Sequence, residues 1–230
     1  MNKGVFITGT DTGIGKTVVA CGVAQLVRQW KKTVGVMKPF ATGSQEDAKR
    51  LIAASGTKLP LSLVNPQFFK EPLAPSVAAA LEERSVDMEA VYKAFWEIAK
   101  GHEVLVVEGV GGVKVPLADS TYVIDLIAAL RLPALVVARA GLGTLNHTLL
   151  TLDALERAKI PVLGIVLNGD TGKTTAEQTN AEALVEHTTV PVLAVLPEAP
   201  RFAKSPAALA KELDDHPLFV KALKRACGVA

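Results

Sequence analysis

Six short apolar blocks rich in valine divide the sequence of 230 residues. The blocks do not alternate with polar residues, which is typical of strands buried on both faces of a parallel sheet. Between them lie segments with apolar residues at helical spacing, clearest over residues 16–30. This alternation predicts an α/β fold with one doubly wound, mostly parallel sheet. The blocks are residues 5–7, 34–37, 104–107, 134–138, 162–167 and 192–196, and the other helical segments are residues 86–99, 144–158 and 175–188.

Composition excludes several classes of protein. The chain has 25 Lys and Arg against 23 Asp and Glu, so it has no general basic field for nucleic acid or anionic lipid. Cys21 and Cys227 lie far apart and have no metal-ligand spacing, which argues against a disulfide framework and fits a reducing cytoplasm. No secretory signal and no run of 18 apolar residues is evident. We therefore expect a cytoplasmic protein without nucleic-acid or membrane partners.

One domain is expected to span residues 1–230. The proline-rich stretch at residues 55–75 has no clear period and predicts a long loop inserted into this domain. The Pro- and Ala-rich tail from residue 198 to 230 predicts one or two short helices.

The strongest motif is GTDTGIGKT at residues 9–17, between the first apolar block and the first helical segment. This context is typical of a phosphate-binding loop, whose backbone N–H groups point at phosphates. Lys16 would bridge the β- and γ-phosphates, and the Thr17 hydroxyl would ligate Mg²⁺. The loop is a variant, because five residues separate Gly9 from Gly15 where four are usual.

Three further charged residues are candidates for the same site. Lys38 directly follows the second block and Glu108 directly follows the third, so both are expected at the ligand edge of the sheet. If the first two strands are near neighbours, Lys38 reaches the phosphate that Lys16 holds, and Glu108 occupies the position of a second Mg²⁺ ligand. Asp47 is either a third ligand or an ordinary aspartate at a helix N-terminus. Lys38 and Glu108 have simpler alternatives as solvated residues at the rim of the sheet.

Two later segments are candidate ligand contacts. Gly141 and Gly143 precede a helix with Thr144 as the expected N-cap, and such a helix start can hold a carboxylate or serve only as a capped end. Asn168 and Gly169 directly follow the fifth block, where the asparagine would contact a purine edge or simply form a turn.

Taken together, these segments resemble the dethiobiotin synthetases, the ATP-dependent carboxylating enzymes of biotin synthesis. The resemblance covers residues about 4–200 and depends on GTDTGIGKT, KPFATGS, EPLAPSVAA, VEGVGG followed by VPL, GLGTLNHTLLT, and the late LN and LP, in that order. It implies a P-loop fold and a homodimer with the substrate site at the subunit interface. It also implies ATP and Mg²⁺ as cofactors, with 7,8-diaminononanoate and CO₂ or bicarbonate as substrates. One amine would form a carbamate, whose oxygen attacks the γ-phosphate, and the second amine would then close a cyclic urea.

The resemblance also assigns roles to individual residues. It implies catalytic roles for Lys38, Lys16 and Thr12, and Mg²⁺ ligation by Thr17, Asp47 and Glu108. The nucleotide contacts that it implies are Gly13, Ile14, Gly15, Lys16, Thr17, Val18, Asp47, Glu108, Gly109, Val110, Gly111, Asn168, Gly169, Pro197, Glu198 and Ala199. The implied substrate contacts are Lys38, Thr42, Gly111, Leu142, Thr144 and Asn146, of which the last lies where a partner subunit would hold the substrate carboxylate.

Two other classes of protein are alternatives to this interpretation. A partition or septum-positioning ATPase of the same superfamily would use a basic helix at residues 217–225 on a membrane. Such proteins often carry an additional lysine early in the loop. This chain has Thr10, Asp11 and Thr12 there, which counts against that class. An amidating synthetase of cobalamin type would need a glutaminase domain, for which 230 residues leave no room.

Overall fold

The structure is a computed structural model that describes residues 2–229. Its strands, in chain order, are β1 (Gly4–Gly9), β2 (Val34–Met37), β3 (Phe40–Thr42), β4 (Gln67–Phe69), β5 (Val104–Gly112), β6 (Pro116–Ala118), β7 (Thr121–Tyr122), β8 (Ala134–Arg139), β9 (Val162–Asp170) and β10 (Val192–Pro197). Its helices are α1 (Lys16–Gln29), α2 (Glu46–Ser55), α3 (Leu61–Val64), α4 (Pro75–Leu81), α5 (Met88–Gly101), α6 (Val123–Leu130), α7 (Thr144–Arg157), α8 (Thr175–His187), α9 (Pro200–Lys204), α10 (Pro206–Asp214) and α11 (Pro217–Cys227).

The six predicted apolar blocks form one parallel sheet in the order β10-β9-β8-β1-β5-β2. Successive residues point to opposite faces, so Val5 and Ile7 join one core and Phe6 joins the other. Helices α1, α2, α10 and α11 cover the first face, whereas α5, α6, α7 and α8 cover the second. The predicted doubly wound α/β fold is therefore confirmed.

The sheet differs from the prediction at the strand that carries Glu108. β1 and β2 are separated by β5, and β5 continues to Gly112, so Glu108 lies within the strand rather than after it. The extension is stabilised by β1, because Ile7 pairs with Glu108 and Gly9 pairs with Gly112. As a result, Glu108 stands between the loop after β1 and the residue that follows β2.

The inserted stretch at residues 55–75 is more ordered than the expected loop. It contains α3 and β4, and β4 pairs in parallel with β3. The buried Asn65 side chain organises it by donating to the Lys38 carbonyl at 2.8 Å and the Gln67 carbonyl at 3.1 Å. The Lys38 N–H donates in turn to the Val64 carbonyl at 2.8 Å. The insertion thus fixes the backbone at Lys38.

The C-terminal tail forms three helices rather than one or two. Each of α9, α10 and α11 begins with a proline at its first position. Proline is tolerated there because the backbone N–H that it lacks would have no partner within the helix.

In α11 the side chains of Phe219, Leu223 and Cys227 are buried in the core. The apolar face that a membrane-lying helix would expose is therefore covered by the protein. No helix within residues 2–229 is long and apolar enough to span a bilayer.

Candidate active site

A cavity of about 330 Å³ lies beyond the carboxyl ends of β1, β2 and β5. It brings together twelve of the predicted site residues from the phosphate loop, from the segment after β2, from α2 and from β5. They are Thr12, Gly13, Gly15, Lys16, Thr17, Val18, Lys38, Thr42, Asp47, Glu108, Val110 and Gly111. This location is the one where ligands bind in open α/β sheets.

The phosphate loop leads directly into α1. Gly13 and Gly15 have φ angles of 72° and 97°, a left-handed conformation that disfavours any residue with a Cβ. Gly15 is the N-cap residue, so no side chain caps α1, and no acidic residue lies in its first turn. The N-terminus of α1 is therefore open to an anion. The Lys16 ammonium folds back over the loop and donates to the Asp11 carbonyl at 2.7 Å.

Asn168 positions this loop from the end of β9. Its Nδ2 donates to the Ile14 carbonyl at 2.9 Å, and a Cβ at Gly15 would collide with the same amide. The glycine at this position thus permits a close approach as well as a left-handed turn. Contact between Asn168 and a purine stays a prediction.

Lys38 joins two carboxylates in the cavity. Its Nζ lies 2.5 Å from Glu108 Oε1 and 3.2 Å from Asp47 Oδ2, and it donates to the Gly109 carbonyl at 3.2 Å. The register explains the first pair, because Met37 of β2 lies opposite Val107 of β5 and the next residues are Lys38 and Glu108. Lys38 and Glu108 are 4% and 1% exposed, so the simpler interpretation of both as solvated rim residues is wrong.

The two lysines of the cavity differ electrostatically. Burial alone would lower the pKa of Lys38, but the carboxylates of Glu108 and Asp47 outweigh it and raise that pKa. Burial lowers the pKa of Lys16 to about 8, and the nearby Lys38 ammonium adds to this effect. Lys38 is therefore held as a cation, whereas burial leaves Lys16 with a pKa of about 8.

Three oxygen-bearing side chains in the cavity fit a magnesium ion. Thr17 Oγ1 donates to Glu108 Oε1 at 2.7 Å, and Asp47 shares Lys38 with Glu108. Glu108 Oε2 is buried and has no hydrogen-bond partner, so it is an acceptor without a donor. Within residues 2–229, no group of three or more His, Cys, Asp or Glu side chains is arranged to hold a metal. A set of two carboxylates and one hydroxyl suits Mg²⁺, which keeps water and phosphate ligands.

Replacement of Glu108 by glutamine is expected to weaken the response to Mg²⁺. The amide removes the charge that both Lys38 and a divalent cation would face, so we expect half-saturation of turnover at a Mg²⁺ concentration about 10-fold or more higher. A Mg²⁺ titration of ATP turnover at saturating nucleotide measures this shift. The Glu103→Gln variant serves as control, because Glu103 forms an exposed ion pair with Lys32 away from the cavity. A titration curve identical to that of the parent protein would remove Glu108 from the metal site.

Nucleotide binding is expected to weaken as the pH rises above about 8. In the free protein Lys16 loses its proton through this pH, whereas a bound phosphate favours the charged form, so binding takes up a proton there. The affinity for ATP with Mg²⁺ should fall by up to about 10-fold per pH unit between pH 8 and the raised pKa of the complex. Calorimetry in buffers of different ionisation enthalpy measures both the affinity and the proton uptake. Constant affinity from pH 7.5 to 9.5 without proton uptake would contradict the expectation.

Several predicted residues lie outside the cavity. The Ile14 backbone carbonyl accepts a hydrogen bond from Asn168, and the Gly109 backbone carbonyl accepts one from Lys38. Ile14 and Gly109 therefore help to position site side chains through their backbones. Contacts from the other residues to nucleotide or substrate stay predictions. They are Gly169, Pro197, Glu198 and Ala199 at the ends of β9 and β10, and Leu142, Thr144 and Asn146 at the start of α7.

The predicted N-cap of α7 is wrong. Gly143, with a φ of 89°, occupies the cap position, and Thr144 is the first helical residue. The Thr144 side chain is fully buried and its hydroxyl lies 3.3 Å from the Thr148 hydroxyl. Glycine adopts the left-handed cap conformation without strain, which leaves the threonine to turn into the core.

Sequence reasoning missed three residues that shape the cavity. Ala41 and Arg50 line it, and Asn65 holds the backbone of Lys38. The Asn65-Pro66 dipeptide is a turn signal that points to Asn65. Arg50 stands three residues after Asp47 and therefore one helical turn along the same face.

Comparisons with known proteins agree with this geometry. A family model described as an AAA domain matches residues 3–205. The ATP-dependent dethiobiotin synthetase BioD of Bacillus licheniformis is 46% identical over 202 residues, which cover 85% of this chain and 86% of the relative. The BioD of Anaeromyxobacter dehalogenans is 45% identical over 217 residues, which cover 92% of this chain and 97% of the relative. The chain belongs to the dethiobiotin synthetase family.

Solved structures outside the dethiobiotin synthetase family share the fold. An ATP complex of Cyanothece McdA has a TM-score of 0.60 at 15% identity, with 100% of this chain and 97% of that chain covered. The MinC:MinD cell division protein complex of Aquifex aeolicus has a TM-score of 0.61 at 14% identity, with 99% and 97% covered. At such identities the likeness concerns the fold alone. It therefore gives no support to a partition-ATPase function for this chain.

Proposed function

We propose that this protein catalyses the ATP-dependent carboxylation and ring closure of 7,8-diaminononanoate to dethiobiotin, with ADP and phosphate as the other products. The observation that carries the proposal is the buried Lys38 beside Lys16 in one cavity, at the end of the strand that follows the phosphate loop. Membership in the dethiobiotin synthetase family supports the same reaction.

The chemistry needs positioning and charge more than a protein nucleophile. One substrate amine adds to CO₂ and releases a proton, which gives a carbamate. The carbamate oxygen then attacks the γ-phosphorus, ADP leaves, and a carbamic-phosphoric anhydride forms. The second amine attacks the anhydride carbon, closes the urea ring and expels phosphate. Each step gathers negative charge near the terminal phosphate, where fixed cations are most effective.

The lysines supply that charge. Lys38 is protonated because its carboxylate neighbours raise its pKa, and it enters the cavity from the opposite side of β5 to the phosphate loop. Lys16 is charged once a phosphate replaces the Asp11 carbonyl as its partner. Thr17, Asp47 and Glu108 would hold Mg²⁺, which neutralises phosphate charge when bound. Thr12 and Thr42 offer hydroxyls at the cavity wall that would orient the carbamate and the amine.

The substrate tail is assigned to a second cavity of about 440 Å³ that shares Thr12 with the first. It runs between the phosphate loop, the segment after β5 and α7, and it includes Lys114, His147 and Leu150. Leu150, which lines this cavity, is 60% exposed, and Leu142, just before α7, is 87% exposed. We propose that a second copy of the chain covers this face and brings the start of its α7, near Asn146, to the substrate carboxylate. Sedimentation of the parent protein and of Leu150→Glu tests the dimer, and a monomeric parent protein would reject it.

The test of the function is direct. The protein is incubated with ATP, Mg²⁺, bicarbonate and the diamine, and the product is analysed by mass spectrometry for an acid-stable cyclic urea. We expect one ADP per ring formed and no ring without ATP. ATP hydrolysis without ring formation would reject the proposal. A nucleotide-switched action on vesicles, tested by co-sedimentation, would favour the partition-type alternative instead.

A further inference from the structure

An arginine on the wall of the phosphate cavity has no partner of opposite charge within residues 2–229. Arg50 lines the cavity together with Lys16, Thr17 and Val18. A hydrogen bond joins its Nη2 to the Ala203 carbonyl of α9 at 2.8 Å. No carboxylate in the described part of the chain lies at ion-pair distance from its guanidinium.

The other two cations of the cavity are engaged differently. Lys38 is paired with Glu108 and Asp47, which offset its charge. Lys16 is bound to a neutral carbonyl. The same cavity therefore presents a guanidinium without a counter-ion and an uncapped helix N-terminus, and together these groups attract a multiply charged anion.

The position of Arg50 is fixed from two sides. Its backbone belongs to α2, one helical turn after Asp47, and its side chain reaches α9, which follows the predicted nucleotide contacts at residues 197–199. Both α2 and α9 pack against α1. The guanidinium thus lines the same cavity as Lys16, Thr17 and Val18, which form the first turn of α1.

We propose that Arg50 binds the phosphate chain of the nucleotide. Guanidinium groups bind phosphate oxygens through several N–H donors, and the bond to Ala203 uses one donor and leaves others for the ligand. The inference rests on the ATP requirement in the proposed function but not on the identity of the amine substrate.

The test separates phosphate binding from contact with the base. Binding of ATP and of inorganic tripolyphosphate, each with Mg²⁺, is measured by calorimetry for the parent protein, Arg50→Gln and Arg50→Lys. Lys49→Gln is the matched control, because Lys49 is the preceding residue and is paired with Glu46 on the outside of α2. Thermal unfolding of each variant reports separately on the bond to Ala203.

We expect Arg50→Gln to weaken ATP and tripolyphosphate by the same factor, about 10-fold or more, since hydrogen bonds to charged groups contribute that much. Arg50→Lys should recover part of both affinities, and Lys49→Gln should change neither. Loss of ATP affinity with unchanged tripolyphosphate affinity would overturn the proposal, since Arg50 would then act through the segment that contacts the base. Unchanged affinity for both ligands would also overturn it. These outcomes do not depend on ring formation, so a failure of the proposed function remains distinguishable.

Discussion

The Lys38→Ala variant is expected to lose diamine-dependent ATP turnover by roughly 100- to 1000-fold or more, because it removes a fixed cation from the site where negative charge develops. It is also expected to lower the free energy of unfolding, since Glu108, 1% exposed, would keep a buried charge without its cation. Breaking such a pair typically costs about 3–5 kcal/mol. Steady-state kinetics and denaturant unfolding measure the two effects, and we expect the fold to survive.

A double variant separates catalysis from stability at Lys38. The Lys38→Met, Glu108→Gln protein contains neither buried charge, so its free energy of unfolding should lie above that of Lys38→Ala and closer to the parent value, while turnover remains lost. Lys32→Ala is the control, because Lys32 forms an exposed pair with Glu103 beside the start of β2 and such pairs contribute about 1 kcal/mol or less. If Lys38→Ala hydrolyses ATP in response to the diamine at the parent rate, the assignment of Lys38 is wrong.

The Lys16→Met variant is expected to lose turnover to a similar degree but without the loss of stability. Burial lowers the pKa of Lys16 to about 8, so the folded protein disfavours the charged side chain relative to the unfolded chain. Removal of the ammonium should therefore leave the unfolding free energy at pH 7 unchanged or higher. ATP affinity should fall together with turnover, because Lys16 is the loop cation that a phosphate would meet first. Full ATP affinity in this variant would contradict the assignment.

Comparison of the two lysine variants gives a signature that general misfolding does not produce. Both should lose turnover, but only the Lys38→Ala protein should lose stability. The difference follows from their partners, since Lys38 has two carboxylates whereas Lys16 donates to a backbone carbonyl.

The sequence predicts the central sheet well because buried parallel strands have a strong local signal. The valine-rich blocks correspond to β1, β2, β5, β8, β9 and β10. The three-residue strands β3 and β4 escaped prediction, because they are too short for a period and lie in or beside a stretch rich in proline. The third tail helix was missed although Pro200, Pro206 and Pro217 each stand at a helix start.

The residue types of the candidate site were predictable from the sequence, but the contacts between their side chains were not. Lys38 and Glu108 are 70 residues apart, and their contact arises because β5 inserts between β1 and β2 in the sheet order. That order depends on packing of distant segments and has no local signal. The same applies to Arg50, whose direction depends on how α2 and α9 each pack against α1. Thr144 illustrates the converse error, since a residue type that favours N-caps lies inside the helix after a glycine.

The central claim is that Lys16 and Lys38 converge on the terminal phosphate of ATP beside the incoming amine. A crystal structure with a non-hydrolysable ATP analogue, Mg²⁺ and the diamine measures this most directly. We predict that the Nζ atoms of both lysines lie within about 3.2 Å of terminal phosphate oxygens, which is hydrogen-bond distance, with a substrate nitrogen next to them. A structure in which Lys38 stays bound to Glu108 and Asp47 and reaches no phosphate oxygen would contradict the account.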